Sequence, residues 1–405
     1  MKCKLISCDC KKKDKAFIFP LVIYAILTVA LIIIKEICHE ELNIPKAKDV
    51  ILIDPLLTYF GESLFFIVDL ICRNFSYSEV IDYKICIKDY IYFGLICLLL
   101  LIIDFYKIYI LIFLKTISYE SFIMIINSWI FLLIFSILIG IFLYKMRFYK
   151  HHLFSIFPFI LFEIYIIFTV ISFGKGFDII LFLVQIFMSL IESIIIILIK
   201  NIIEKKFFSP LKVCYLIGFI NLMISFIILV ILSNVKCDNY LESCKENENI
   251  FDFSSIYKNK FVFICLFPIS LFNGINKYLI NTILKKYTIL HTSIFYQYNS
   301  MEFLYLIKFN VSITVQNSTI SKITGNILTI FYSLGVFLLL IFHEVIILNF
   351  CNLSYNIKKN IQARADKEFN DIIDNDAELK TKLDLDDIAS SNYKDYIDSE
   401  IMKKE

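Results

Sequence analysis

Several features that commonly assign a function are missing from this chain. Its 40 lysines and arginines nearly balance its 38 aspartates and glutamates, so a net charge of +2 gives no strong field that would favour nucleic acid as a partner. The sequence contains no P-loop, G-x-G-x-x-G, H-E-x-x-H or G-x-S-x-G motif. We therefore predict no catalytic residue, no bound cofactor and no ATP-driven transport by this chain alone. Glycine is also scarce at nine residues, fewer than close packing of membrane helices favours.

Cysteine is present without a pattern that indicates a site. The 12 cysteines form no CxxC pair and no Cys/His spacing typical of a metal site, so we predict no bound metal. Cys237 and Cys244 flank a short polar loop. The sequence leaves open whether those two residues form a disulfide.

Long hydrophobic runs are what the chain has in abundance. It is 59% hydrophobic with a mean hydropathy of +0.75, whereas soluble domains contain roughly 45–50% apolar residues. A membrane-spanning helix needs roughly 20 apolar residues. We predict an all-α, polytopic membrane protein with about ten transmembrane helices. The predicted spans 1 to 10 are, in order, Ala16–Ile34, Val50–Cys72, Tyr90–Phe113, Ser118–Tyr144, Leu153–Phe173, Ile179–Ile199, Leu211–Ser233, Phe261–Leu284, Ile289–Ile307 and Thr324–Phe350.

Basic residues set the predicted orientation of these spans. Lysine and arginine cluster at the N-terminus and after spans 4, 6, 8 and 10, which all lie on one side if the number of spans is even. We therefore predict a cytosolic basic segment 1–15, a membrane domain 16–350 and a cytosolic polar tail 351–405 that is largely disordered. Two N-glycosylation acceptors, Asn310 and Asn317, lie in the predicted lumenal loop after span 9.

Polar side chains inside the spans are the candidate functional residues, because such groups are costly in hydrocarbon unless they face a partner or a cavity. Asn273, Lys277 and Asn281 are spaced four apart in span 8 and share one helix face. A cation between two amides suits an anionic or polar substrate. The alternative is that Lys277 extends to the membrane interface near Lys285.

Further candidates lie in spans 2 and 9. Glu62 either binds a proton or pairs with a cation, as coupling carboxylates do, or makes a structural hydrogen bond to a neighbouring helix. Asn299 and Glu302 share a helix face that we predict to line the substrate cavity. The other intramembrane acids are expected to end helices or to pack in pairs: Asp54, Asp69, Asp104, Glu163 and Glu192.

Short motifs follow one another in a recognisable order. They are Asp54-Pro55-Leu56-Leu57 and Phe60-Gly61-Glu62-Ser63, Asp104, Leu143-Tyr144-Lys145-Met146 and His151-His152, Glu204-Lys205-Lys206, Ser209-Pro210 and Gly218, then Asn273, Asn276 and Asn281, and finally Phe342 to Cys351 with Lys358, Lys359 and Arg364. This order resembles the drug/metabolite transporter superfamily, and within it the solute carrier 35-like group related to nucleotide-sugar transporters. The resemblance implies two inverted five-helix halves around a site near the midplane, in a Golgi, ER, vacuolar or lysosomal membrane.

We therefore predict a secondary transporter that moves a small polar, anionic metabolite by alternating access. The sequence leaves its substrate, coupling ion and oligomeric state open, a homodimer included. One alternative is a polytopic membrane enzyme of the glycosyl- or acyltransferase kind, for which only Glu36, His39, Glu40 and Glu41 are candidates. Another is a receptor or scaffold, which would fit seven spans better than ten. In the leading hypothesis the partners are a small-molecule substrate and the lipid bilayer.

Overall fold

A computed structural model gives the fold over residues 6–8, 12–42, 44–75, 87–110, 116–118, 128–144, 150–173, 176–205, 207–236, 249–287, 289–292, 295, 312–314, 335, 337–338, 340–342 and 346–348. The predicted tail 351–405 lies outside these described residues, as do Cys237 and Cys244 and the acceptors Asn310 and Asn317. Most of predicted spans 9 and 10 lies outside them too.

Nine α-helices make up most of the described part of the chain. They are α1 (Lys12–Leu42), α2 (Ile44–Phe75), α3 (Ile87–Ile108), α4 (Ser128–Tyr144), α5 (Lys150–Phe173), α6 (Gly176–Lys205), α7 (Pro210–Asn234), α8 (Phe253–Lys258) and α9 (Lys260–Lys286). A 3₁₀ helix follows at Ile289–Thr292. The helices α1 to α7 and α9 overlap predicted spans 1 to 8, which confirms the all-α class.

The described helices have the lengths and composition of membrane spans. Six of those described, α1, α2, α3, α6, α7 and α9, are long and apolar enough to cross a bilayer. A shorter apolar stretch, Ile130–Phe142, lies within α4. This is the architecture of a multi-pass, helical membrane protein.

Local sequence explains where two of the helices begin. α7 starts at Pro210, whose missing N–H suits the first helical position, after Ser209, whose Oγ accepts a hydrogen bond from the Lys212 N–H at 3.1 Å. The Asn259 Oδ1 caps α9 by accepting from the N–H groups two and three residues further on, at 3.1 and 3.2 Å. These caps satisfy N–H groups that the helix itself leaves unpaired.

One end of the bundle gathers the basic ends of several helices, and we call it the basic end. The Lys200 Nζ, near the end of α6, donates to the carbonyl oxygens of Leu284 and Tyr287 at the end of α9, at 3.0 and 2.8 Å. The Phe17 ring, near the start of α1, packs against the Tyr287 ring with centroids 5.4 Å apart. Only residues 206–209 separate α6 from α7, so α7 starts there as well.

A large hydrophobic core lies next to the basic end. Tyr24 and Phe295 pack edge to face with ring centroids 4.8 Å apart, and Phe93 and Phe208 with centroids 5.6 Å apart. All four side chains are almost fully buried in one cluster. Aromatic pairs of this kind stabilise by roughly 0.5–1.5 kcal/mol beyond the area they bury.

Two pairs of three-residue strands accompany the helices. β1 (Ile6–Cys8) pairs antiparallel with β4 (Ile346–Leu348), and β2 (Thr116–Ser118) pairs parallel with β3 (Ser312–Thr314). The predicted helical spans 4 and 10 are wrong at Ser118 and at Ile346–Leu348, which are extended. A short apolar run fits a strand as well as a helix, so hydrophobicity alone does not separate the two.

Candidate functional site

Three glycines bring the backbone of α2 against those of α7 and α9. A Cβ atom added at Gly61 would lie 1.8 Å from the Ser270 carbonyl oxygen, and one added at Gly274 would lie 2.5 Å from the Gly61 carbonyl. On the α7 side, a Cβ atom added at Gly218 would lie 2.6 Å from the Ser63 nitrogen. None of the three positions has room for a side chain, as in membrane helix pairs built on small residues.

Polar side chains surround this contact. We call five of them the polar seam: Thr58, Glu62, Asn273, Asn276 and Lys277. The Asn273 Nδ2 donates to the Thr58 Oγ1 at 2.9 Å, which joins α9 to α2. The Asn276 Nδ2 donates to the Thr28 Oγ1 at 3.4 Å, which joins α9 to α1. Hydrogen bonds therefore hold three helices together inside the apolar bundle.

Glu62 is the buried acid of the polar seam. It is 4% exposed, and its Cβ would lie 2.8 Å from a Cβ atom added at Gly218. The Lys277 ammonium and the Asp104 carboxylate both act on Glu62 electrostatically, with opposite signs. Lys277 is half-buried on α9, so the polar seam contains a cation and an anion from different helices.

The structure brings together some of the predicted site residues and leaves others undescribed. Glu62, Asn273 and Lys277 lie in the same region, and Asn281 is buried two turns from Asn273 along α9. Their role as substrate ligands stays a prediction. Predicted site residues Asn299 and Glu302 lie outside the described residues.

Several buried polar atoms in the same helices have no hydrogen-bond partner among the residues that the structure describes. They are the Asn221 Oδ1 and Nδ2, the Ser225 Oγ, the Ser270 Oγ and the Asn276 Oδ1. Leaving a buried polar group unpaired costs roughly 1–3 kcal/mol. Water or a polar ligand that reached these atoms would remove that cost.

Asn221 is a candidate that the sequence interpretation missed. It is fully buried on α7, three residues after Gly218. The signal was present, because Asn221 is an amide in the middle of an otherwise apolar run, as Asn273 is.

A second polar position lies beside the seam, on α3. The Tyr59 hydroxyl donates a hydrogen bond to the Asp104 Oδ2, which ties α2 to α3. Asp104 also lines a cavity of about 500 Å³ between α2, α3, α6 and α7. The expectation that Asp104 merely ends a helix near the interface is therefore incomplete, since its carboxylate contacts a neighbouring helix and a cavity.

Two further intramembrane acids form ion pairs. The Lys35 Nζ lies 2.8 Å from the Asp54 Oδ1, which joins α1 to α2, and the Lys107 Nζ lies 3.6 Å from the Glu192 Oε1, which joins α3 to α6. Glu192 thus packs as a pair, as predicted, and Asp54 is paired rather than only ending a helix. The Glu163 side chain lies outside the described residues.

The residues that an enzyme would need are largely outside the described part. The side chains of His39, Glu40 and Glu41 are among those not described. Within the described residues, no group of three or more His, Cys, Asp and Glu side chains could hold a metal ion.

Comparison with known proteins does not assign the chain to a family. No protein-family model matches the chain, and a search of curated proteins gives no match either.

Proposed function

We propose that this protein is a secondary carrier that moves a small polar, anionic metabolite across an endomembrane by alternating access. The observation that supports the proposal is the polar seam, where Glu62, Asn273 and Lys277 lie among membrane-spanning helices. Ionisable groups in hydrocarbon are costly and typically mark the path of a substrate or an ion. The unpartnered atoms of Asn221, Ser270 and Asn276 offer further hydrogen bonds to a polar solute.

In this proposal Lys277 is the cation that receives the substrate, and Glu62 is its competing partner. A carboxylate or phosphate of the substrate would replace Glu62 as the counter-ion of Lys277. The Asn273 amide, which donates to Thr58, would turn its N–H to the same anion. Glu62 would then need a proton or a cation to remain buried, which couples substrate entry to a second ion.

The proposal extends to the membrane topology. We infer ten spans in two inverted five-helix halves with both termini cytosolic, as in the solute carrier 35-like group of the drug/metabolite transporters. The pairing of β1 with β4 supports an even number of spans, because it places residues 6–8 beside the end of predicted span 10. The pairing of β2 with β3 agrees with the predicted orientation, in which the loops after spans 3 and 9 lie on the same side.

The first test is thermal unfolding of the purified full-length protein with a panel of nucleotide sugars, nucleotides, organic phosphates and amino acids. A ligand at a hundred times its dissociation constant adds about 2.7 kcal/mol to the stability of the folded state. We expect one anionic class to raise Tm selectively. A flat panel from a folded protein would count against this substrate class.

The second test is uptake of that ligand by proteoliposomes containing matched variants. Lys277→Met should abolish uptake and the thermal shift, whereas Lys285→Met, which removes an exposed lysine on the same helix, should preserve both. Glu62→Gln should remove the dependence of uptake on a proton or cation gradient, because the amide cannot exchange a proton. Normal, gradient-driven uptake by both Lys277→Met and Glu62→Gln would show that the seam is not the transport site.

A further inference from the structure

The cavity beside Asp104 has the size and the walls of a binding site for an apolar molecule. Its volume of about 500 Å³ lies within the range of roughly 300–1,000 Å³ that is typical of small-ligand pockets. Side chains such as Leu101, Ile228 and Leu229 make most of its wall. It opens at the surface of the bundle, where the lining residues Phe105 and Tyr109 are 44% and 48% exposed.

Two polar groups in the wall would orient such a molecule. The Asp104 Oδ2 accepts from Tyr59, and the Asp104 Oδ1 has no hydrogen-bond partner among the described residues. The Ser225 side chain is 6% exposed, and its Oγ is unpartnered within the same described set. Within the described residues, a carboxylate oxygen and a hydroxyl oxygen therefore lack a hydrogen-bond partner beside a cavity with mainly apolar walls.

Among the described residues, the cations that act on Asp104 are shared with other carboxylates. Lys107 and Lys277 attract its carboxylate, and Asp54 repels it. Yet Lys107 lies 3.6 Å from Glu192, Asp54 lies 2.8 Å from Lys35, and Lys277 also acts on Glu62. Both lysines therefore have another carboxylate to balance. A buried carboxylate is stabilised by a directly bound cationic donor.

We propose that this cavity binds an amphipathic amine, with the apolar body between α2, α3, α6 and α7 and the ammonium group at Asp104 and Ser225. A protonated secondary amine carries two N–H donors, which match the two free acceptors. A hydrocarbon tail of a lipid would fill the apolar volume but leave both acceptors unpaired. The site is separate from the polar seam, and the proposal does not depend on the proposed transport function.

Tyr59 connects the cavity to the seam, because it lies on α2 three residues before Glu62 and hydrogen-bonds Asp104. An ammonium group at Asp104 would also partly neutralise the carboxylate that repels Glu62. We therefore expect the amine to act as a modulator of events in the polar seam rather than as a competitor for Lys277.

The test is equilibrium binding of tritiated desipramine, a tricyclic secondary amine, to the full-length protein in phosphatidylcholine nanodiscs. Its neutral analogue, with a hydroxyl in place of the methylamino group, is measured by competition. Asp104→Asn keeps the shape of the side chain and an acceptor for Tyr59 but removes the charge. We expect it to weaken the amine about ten- to hundredfold, the usual worth of a charge-assisted hydrogen bond, and to leave the neutral analogue unchanged.

Two further variants keep the test decisive. Glu204→Gln removes a carboxylate at the basic end, away from the cavity, and should leave amine binding at the wild-type level. Ile228→Trp leaves Asp104 intact but places an indole ring in the cavity, so it should weaken binding of both the amine and the neutral analogue. It also covers the case in which Asp104→Asn does not fold.

The outcomes separate the sources of the amine and the ways in which the proposal fails. Replacing phosphatidylcholine with phosphatidylethanolamine, whose headgroup is a primary amine, would compete with desipramine if the natural occupant is an aminolipid. Insensitivity to that exchange would point to a free amine. Equal affinity of wild type and folded Asp104→Asn for desipramine, or wild-type affinity of Ile228→Trp for desipramine, would overturn the proposal.

Discussion

The two halves of the described bundle are built differently. The half next to the basic end is filled by aromatic and branched side chains, and Lys200 ties the end of α6 to the end of α9. The opposite half contains the start of α2 and the ends of α3 and α7. There α2, α3, α6 and α7 enclose a cavity of about 500 Å³. We call these the packed half and the cavity half. The polar seam, with its three glycines, lies between them.

The difference between the two halves indicates where the helices can shift with the smallest loss of packing contacts. In the packed half any displacement would separate interlocked side chains and lose dispersion contacts. In the cavity half the walls already lack neighbours on one side, so helices there can shift with a smaller loss. A carrier that rocks about the glycine contacts of α2 would therefore open and close most easily in the cavity half.

Substitution in the glycine contacts of α2 should cause the largest loss of stability, because the packed half and the cavity half meet there. In Gly61→Ala the new methyl group would lie 1.8 Å from the Ser270 carbonyl oxygen and must push α2 and α9 apart. Overpacking costs roughly 1–3 kcal/mol and sometimes more, and here the clash is with backbone. We expect loss of the monodisperse peak in size-exclusion chromatography or a large drop in Tm.

Gly94→Ala is the matched control for this change. A Cβ atom added at Gly94 on α3 meets nothing within 4 Å, and alanine favours a helix by about 1 kcal/mol over glycine. Tm should be unchanged or slightly higher. If Gly61→Ala were as stable as Gly94→Ala, the helices would not be in backbone contact.

The helices themselves could be predicted from the sequence. The apolar runs of spans 1, 2, 7 and 8 are bounded by polar residues. Helices α7 and α9 begin and end within two residues of the predictions, whereas α1 and α2 extend three to eight residues further at each end. The strand at Ile346–Leu348 was not accessible, because its apolar residues continue a helical run and its partner Ile6–Cys8 is far away in sequence.

The candidate site could be predicted from the sequence only in part. Glu62 and Lys277 stand out because charges are rare inside apolar runs, and that criterion needs no structure. Their proximity depends on how α2 packs against α9, which is set by Gly61 and Gly274. Scarcity of glycine was a poor guide, since Gly61, Gly218 and Gly274 bring described helices into backbone contact. The cavity at Asp104 is formed by four helices and has no local signature.

A tryptophan placed in each half tests the comparison directly. Ile283 is fully buried in the core of the packed half, so Ile283→Trp must displace its neighbours and should cost about 3 kcal/mol. Ile228 lines the cavity, so Ile228→Trp should place its indole in open space and lower Tm little. Thermal unfolding of both variants in the same detergent measures the difference, and equal losses of Tm would show that the two halves are packed alike.

Loss of the Lys200 contact should have a smaller effect than Ile283→Trp, because a buried lysine is itself costly. Its ammonium is held by two carbonyl oxygens and by the Glu204 Oε1 at 2.6 Å. Lys200→Met removes these bonds but also the cost of burying a charge, so we expect a net loss of about 1–2 kcal/mol. Lys285→Met, at an exposed position, should leave Tm unchanged.

The variant becomes more informative when binding is measured with stability. Lys200 joins α6 to α9 only at the basic end, far from the cavity, so Lys200→Met should lower Tm without weakening desipramine. A lysine that simply contributed to one uniform core would shift both quantities together. Unchanged amine affinity in a protein with a lower Tm would therefore show that the end of α9 can loosen while the cavity half keeps its shape.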